Sequence, residues 1–208
     1  MIYFSNDYSE SVHPTILERI VALSTSQHLG YGVDQITQLA KKAIKKHLNN
    51  QDVAIHFVVG GTQANLVCLA AFLKPYEAII ACNTGHINVN ETGAIGATGH
   101  KICLVQEQAG KLTPAGIEQV VLAHRDEHMV KPRLVFISNS TELGTIYTKQ
   151  ELLELRAICD RYQLLLYLDG ARLGSALCAK DNDLLLQDLP KLCDACYIGG
   201  TKNGALFG

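Results

Sequence analysis

Leu164-Leu165-Leu166-Tyr167-Leu168-Asp169-Gly170-Ala171-Arg172 decides how this chain is read. An apolar run without in/out alternation describes a strand covered on both faces. An acid placed directly after such a run is poorly solvated and wants a cationic partner. A second run, Ala195-Cys196-Tyr197-Ile198, leads into Gly199-Gly200-Thr201-Lys202-Asn203-Gly204. If both runs are strands of one sheet, an aspartate and a lysine meet at the same edge.

The rest of the chain supplies that sheet. Strands are predicted over 55–59, 78–81, 102–105, 134–138, 164–168 and 195–198, after a strand-like opening stretch. Helices are predicted over 14–23, with Pro14 in the first turn, and up to residue 48 with Asp34 as N-cap. Further helices are predicted over 63–72, 114–123, 149–162, 173–179 and 183–189. Short apolar strands interleaved with helices predict an α/β fold, a mostly parallel sheet flanked by helices. Residues 1–33 read as an N-terminal segment and 34–208 as one large domain. Its last residues, Ala205-Leu206-Phe207-Gly208, look like the start of a strand, so a longer protein is expected.

The 208 residues are 48% hydrophobic and 18% charged, with a formal net charge of -2, as in an ordinary globular chain. That balance gives no electrostatic reason to expect nucleic acid or an anionic membrane as partner. No apolar run is long enough to cross a bilayer, and the first residues lack a basic stretch followed by an apolar one. Seven cysteines, an odd number, suit reduced thiols in a cytoplasm. Cys193 and Cys196 form the only CxxC, without further ligands nearby, so no metal site is expected.

Gly60-Gly61-Thr62-Gln63-Ala64-Asn65 precedes a predicted helix. Glycines let the backbone approach a bound group, and free N–H groups at a helix start favour phosphate; alone, the pair reads equally as a tight turn. The spacing of a dinucleotide fingerprint and the lysine of a Walker loop are both absent. His86 follows the 78–81 strand, where its imidazole could lie on a planar ring and move protons, or be a plain loop histidine. Glu91 could reach the same cavity or be a solvated helix residue. Asp169 and Arg172 could form an ordinary ion pair. Together, however, the strand-end acid and amine suit pyridoxal phosphate (PLP), with lysine on its aldehyde and aspartate on its ring nitrogen.

GGTQAN, the His86 loop, LDGAR and GGTKNG resemble, in order, the low-specificity L-threonine aldolases of the β-eliminating lyase group. The resemblance implies the aspartate-aminotransferase-like fold (fold type I) and PLP as cofactor. It implies Lys202 as the cofactor lysine, Asp169 on the pyridine nitrogen, and Arg172 on a cofactor oxygen or the substrate carboxylate. Gly61, Thr62 and Thr201 would bind phosphate, and His86 would stack on the ring. His86 and His128 are the candidate bases, Asn6 would contact substrate, and Tyr31 would line the substrate pocket from across a subunit interface. Several positions depart from the family pattern. Asn6 stands where relatives carry serine, Tyr167 where many carry histidine, and Asn139-Ser140-Thr141 where they carry Glu-Asn-Thr. The family's smaller C-terminal domain, with its second carboxylate-binding arginine, is absent from these residues.

The implied reaction is cleavage of L-threonine-like β-hydroxy-α-amino acids to glycine and an aldehyde. The alternatives are β-elimination or racemisation on the same scaffold, or a non-catalytic descendant. A small amino acid is the expected partner, and a homodimer or homotetramer the expected assembly.

Overall fold

The computed structural model describes residues 3–208. Five strands form a single parallel sheet: β1 (Glu77–Cys82), β2 (Ile102–Val105), β3 (Lys131–Ser138), β4 (Leu165–Asp169) and β5 (Ala195–Cys196). Their order across the sheet is β2-β1-β3-β4-β5. The helices, in chain order, are α1 (Pro14–Leu23), α2 (Gln35–Leu48), α3 (Gly61–Phe72), α4 (His86–Val89), α5 (Ala94–Ala97), α6 (Pro114–Ala123), α7 (Lys149–Tyr162), α8 (Leu173–Leu177) and α9 (Leu189–Leu192).

Both faces of the sheet are covered, which is why its strands read as continuous apolar runs. On one face Ile80, Val135, Ile137, Leu166 and Leu168 pack with Ile117 of α6, Leu152 and Leu155 of α7, and Leu189 of α9. On the other, Ile79, Ala81, Leu134, Phe136 and Tyr167 pack with Leu69 of α3, Ile87 of α4 and Ile95 of α5. Local signals set the helix ends. Asp34 accepts from the Thr37 N–H at 2.8 Å, and Thr148 with Glu151 forms a capping box at the start of α7.

Four expectations need correction. Residues 55–59 form no strand, because no neighbouring strand offers them a hydrogen-bonding ladder among the described residues. Phe57 and Val59 there are 55% and 76% exposed. The opening stretch, 3–13, is irregular, while residues 1 and 2 lie outside the described part. The last strand is only two residues long: beyond it Tyr197 still donates to the Leu168 carbonyl at 3.2 Å, but Gly199 turns to the Gly170 carbonyl at 3.0 Å. Residues 183–189 hold only a 3-10 turn, Leu186–Asp188, leading into α9.

In the sheet order, the chain leaves β1 for one side and then crosses back to β3 on the other. Where strand order reverses, the carboxyl ends of the two central strands open a crevice that no crossover fills. Thr84, Gly85, Ser138, Thr141 and Glu142 line a crevice there. Ser138 pairs in register with Asp169, so β3 and β4 end level beside it.

Candidate active site

Asp169 ends β4 and is only 3% exposed. One carboxylate oxygen accepts the Ala171 N–H at 3.0 Å, and its carbonyl accepts the Asn139 N–H at 3.0 Å. The loop after it is locked to the loop after β5 by reciprocal glycine contacts. A β-carbon on Gly170 would run into the Tyr197 carbonyl, one on Gly199 would meet the Ala171 carbonyl at 2.6 Å, and one on Gly174 the Asn203 side chain at 2.5 Å. Close packing of this kind is open only to glycine, and it brings the lysine loop against the aspartate loop.

Lys202 lies in a 3-10 turn, Thr201–Asn203, with its side chain mostly buried. Its Nζ is 3.8 Å from Asp7 Oδ1 and sits over the Tyr8 ring. The same Asp7 accepts from Arg172 Nε at 2.5 Å and from its second nitrogen at 3.3 Å. Burial opposes ionisation of Asp7, yet the Arg172 hydrogen bond and charge, with Lys202, hold its carboxyl below the ordinary value. One acid thus bridges the two cations that the sequence reading singled out.

His86 and Glu91 come in from the end of β1. His86 Nδ1 lies 2.8 Å from Glu91 Oε1, and Asn65 Nδ2 donates to the same oxygen at 2.7 Å. Ligand-type atoms of His86, Glu91 and Asp169 all fall within 4.8 Å of one another, close enough to share one small cationic group. The Glu91 hydrogen bond raises the His86 pKa against the opposing effect of burial, and Glu142 and Asp169 push it the same way. Glu142 follows β3; burial pushes its carboxyl up, while His86, Arg172 and Lys202 draw it back and Asp169 adds to the rise. Tyr197 reaches Asp169, its phenol pushed well up by burial and then by that acid.

Of the expected residues, His86, Asp169, Arg172 and Lys202 are therefore brought into one charged cluster. Gly61 adjoins it at the start of α3, where a β-carbon would press on the Tyr197 hydroxyl at 2.6 Å. Thr62 stands exposed in that first turn. Thr201 spends its hydroxyl on the Gly208 carbonyl at 2.8 Å, a bond that competes with a phosphate role. Asn6, next to Asp7, turns inward on its own segment, accepting from Tyr8 and Ser9.

Two expected residues are not brought to the cluster. His128 precedes β3, at the amino edge of the sheet, with its side chain 85% exposed and Nδ1 3.0 Å from Asp126. A parallel sheet places the starts and ends of its strands on opposite edges, so within one chain His128 faces away from Asp169. Tyr31 is fully exposed on the α1–α2 loop. The sequence reading missed Asp7, Asn65 and Glu142 as site members. Asn65 had a signal in its place in the GGTQAN helix start, and Asp7 in its place beside Asn6 in the opening segment.

A family model described as beta-eliminating lyase matches residues 9–206. The chain belongs to the β-eliminating lyase family. Over 207 residues it is 33% identical to the low specificity L-threonine aldolase of Pseudomonas aeruginosa, covering 99% of this chain and 60% of that one. The threonine aldolase of Leishmania major superposes with a TM-score of 0.96 at 49% identity, over 98% of this chain and 59% of that one. A putative L-allo-threonine aldolase from Listeria monocytogenes shares the fold, at TM-score 0.70 and 19% identity, over 92% of this chain and 52% of that one. The chain thus spans about 60% of the length of the curated relative. The α/β fold expected of the family is the fold observed.

Proposed function

We propose that the complete protein is a PLP-dependent carbon–carbon lyase that converts L-threonine, L-allo-threonine or related β-hydroxy-α-amino acids to glycine and an aldehyde. The observation that carries this reading is the cluster at the carboxyl edge of the sheet. There a buried Asp169 lies within 4.8 Å of His86 and Glu91, while Asp7 joins Arg172 to Lys202. Similarity to chains named threonine aldolase, at 33% and 49% identity, supports the choice of reaction.

The residues present fit the cofactor. Asp169 is a buried carboxylate that suits a protonated ring nitrogen. Gly61 opens α3, whose N-cap position, Gly60, makes no side-chain capping bond, leaving first-turn N–H groups for phosphate. Lys202 supplies the amine. When bound, PLP supplies the electron sink for a bond broken at the substrate Cα.

The chain's own residues do the rest. Arg172 has a planar fork suited to the substrate carboxylate, which takes over its bond from Asp7 and fixes which Cα bond is presented. His86 accepts the β-hydroxyl proton as the Cα–Cβ bond opens and the aldehyde leaves. A proton returned to Cα then completes glycine. A homodimer or homotetramer and a cytoplasmic location belong to the same proposal. They are supported by the exposed apolar side chains of α1 and by seven free cysteines. Among the described residues no helix is long and apolar enough to cross a membrane.

The test is incubation of the complete protein with L-threonine and L-phenylserine. Glycine and the matching aldehyde should appear in equal amounts. In Lys202→Ala the visible absorbance of lysine-bound PLP should vanish and turnover should fall by at least a thousandfold. Ammonia and 2-oxobutyrate from threonine, with no glycine, would instead establish β-elimination and overturn the aldolase reading.

A further inference from the structure

We infer that Glu91, itself locked by Asn65 and Tyr167, is a positioning residue that fixes the ring of His86 so that Nε2 is the nitrogen offered to the site. The inference deepens the proposed function, since it rests on His86 being the proton carrier.

The chain of bonds runs through three separate elements. Tyr167 on β4 lies with its hydroxyl 3.1 Å from Asn65 Oδ1; Asn65 on α3 donates Nδ2–H to Glu91 Oε1 at 2.7 Å; His86 Nδ1 lies 2.8 Å from that same oxygen. Asn65, Glu91 and Tyr167 are all buried. Their chemistry leaves one direction for every proton. A carboxylate only accepts, so the Asn65 amide must turn its NH2 toward Glu91 and its oxygen toward Tyr167. Tyr167 must then donate. By the same logic Nδ1 of His86 must carry its hydrogen, because a lone pair there would face a carboxylate oxygen. In the neutral ring the lone pair is consequently on Nε2, the form of a base; after one proton is taken up, Nε2–H is the form of an acid. Tautomer and ring orientation are set by a residue that need not touch substrate.

Glu91 has a further property that ties it to His86. Its second oxygen, Oε2, is buried without a hydrogen-bond partner among the described residues. A carboxylate held in this way leans on the charge of His86, the titratable group it is hydrogen-bonded to. The groups facing His86 from other elements are also acidic, Glu142 after β3 and Asp169 at the end of β4. Removing the Glu91 charge therefore weakens the imidazolium without creating a new partner for it.

The experiment is nitrogen-15 NMR of the complete protein with labelled histidine, with the His86 signals assigned by their loss in His86→Gln. In the wild-type protein the neutral ring should carry its proton on Nδ1 and its lone pair on Nε2. In Glu91→Gln the acid dissociation constant of His86 should rise at least tenfold, and the acidic limb of the kcat profile should move by the same factor. A neutral wild-type ring protonated on Nε2, or an unchanged dissociation constant in Glu91→Gln, overturns the inference. The tautomer measurement needs no substituted lock residue, so a misfolded Glu91→Gln leaves the question decided. It also needs no turnover: an inactive protein with Nδ1–H refutes the aldolase reading alone, and an active protein with the reverse tautomer refutes the lock alone.

Discussion

Asp169 could be found in the sequence because it ends an apolar run, whereas Asp7 had only its place beside Asn6, since its partner Arg172 lies 165 positions away. Nothing in a local window marks an exposed-looking aspartate near the start of the chain as the bridge between two site cations. Glu91 was ambiguous for a related reason. Five positions from His86, it could face solvent or the site, and the choice was made by Asn65, 26 residues earlier. Asp7 and His86 titrate with opposite signs. Asp7, depressed by Arg172 and Lys202, adds its stability above an unfolded value near 3.8 and loses it as pH falls through the folded value. His86, raised above 6.5, adds stability below that value and loses it as pH rises through the folded one. A base must be neutral, so kcat/KM of the complete enzyme should climb with pH on a limb centred above 6.5. Steady-state rates between pH 5 and pH 9 check this, and a limb centred below 6.5 would remove His86 as the base.

At the scale of elements, local chemistry was the better guide the more local the cause. Helices over 114–123 and 149–162 fall as expected because proline and the Thr148–Glu151 capping box act within one turn. The 55–59 run failed because a strand is defined by its neighbour, and composition does not say whether a neighbour exists. The glycine-rich loops were recognised for their residues, but the reason for the glycines emerges only in three dimensions. Gly199 packs on the backbone of Ala171, so the lysine loop and the aspartate loop form one rigid pair. Gly199→Ala should push them apart. An overpacking cost of about 1–3 kcal/mol in urea unfolding is expected, together with loss of PLP on dialysis, read from the visible absorbance. Full cofactor retention at wild-type stability would show the loops to be independent.

At the scale of the molecule, α1 has no buried residue in this single chain, although Ile16, Leu17, Ile20 and Val21 are apolar. Apolar side chains gathered on one helix are the ground for the assembly proposed above. Sedimentation of the complete protein should therefore show a dimer or tetramer, and Leu17→Asp should shift it toward monomer. A wild-type monomer at micromolar concentration would refute the assembly. Sheet order is the feature that sequence reading did not reach, since it depends on which strands pair and not on what each contains. It is also what makes the site. The gap between β1 and β3 exists because successive connections depart to opposite sides, whatever side chains later furnish it. Evolution can thus refurnish that gap, exchanging an acid here or an imidazole there, while the buried strands beneath continue to fold unaltered. New chemistry on this framework needs no new architecture.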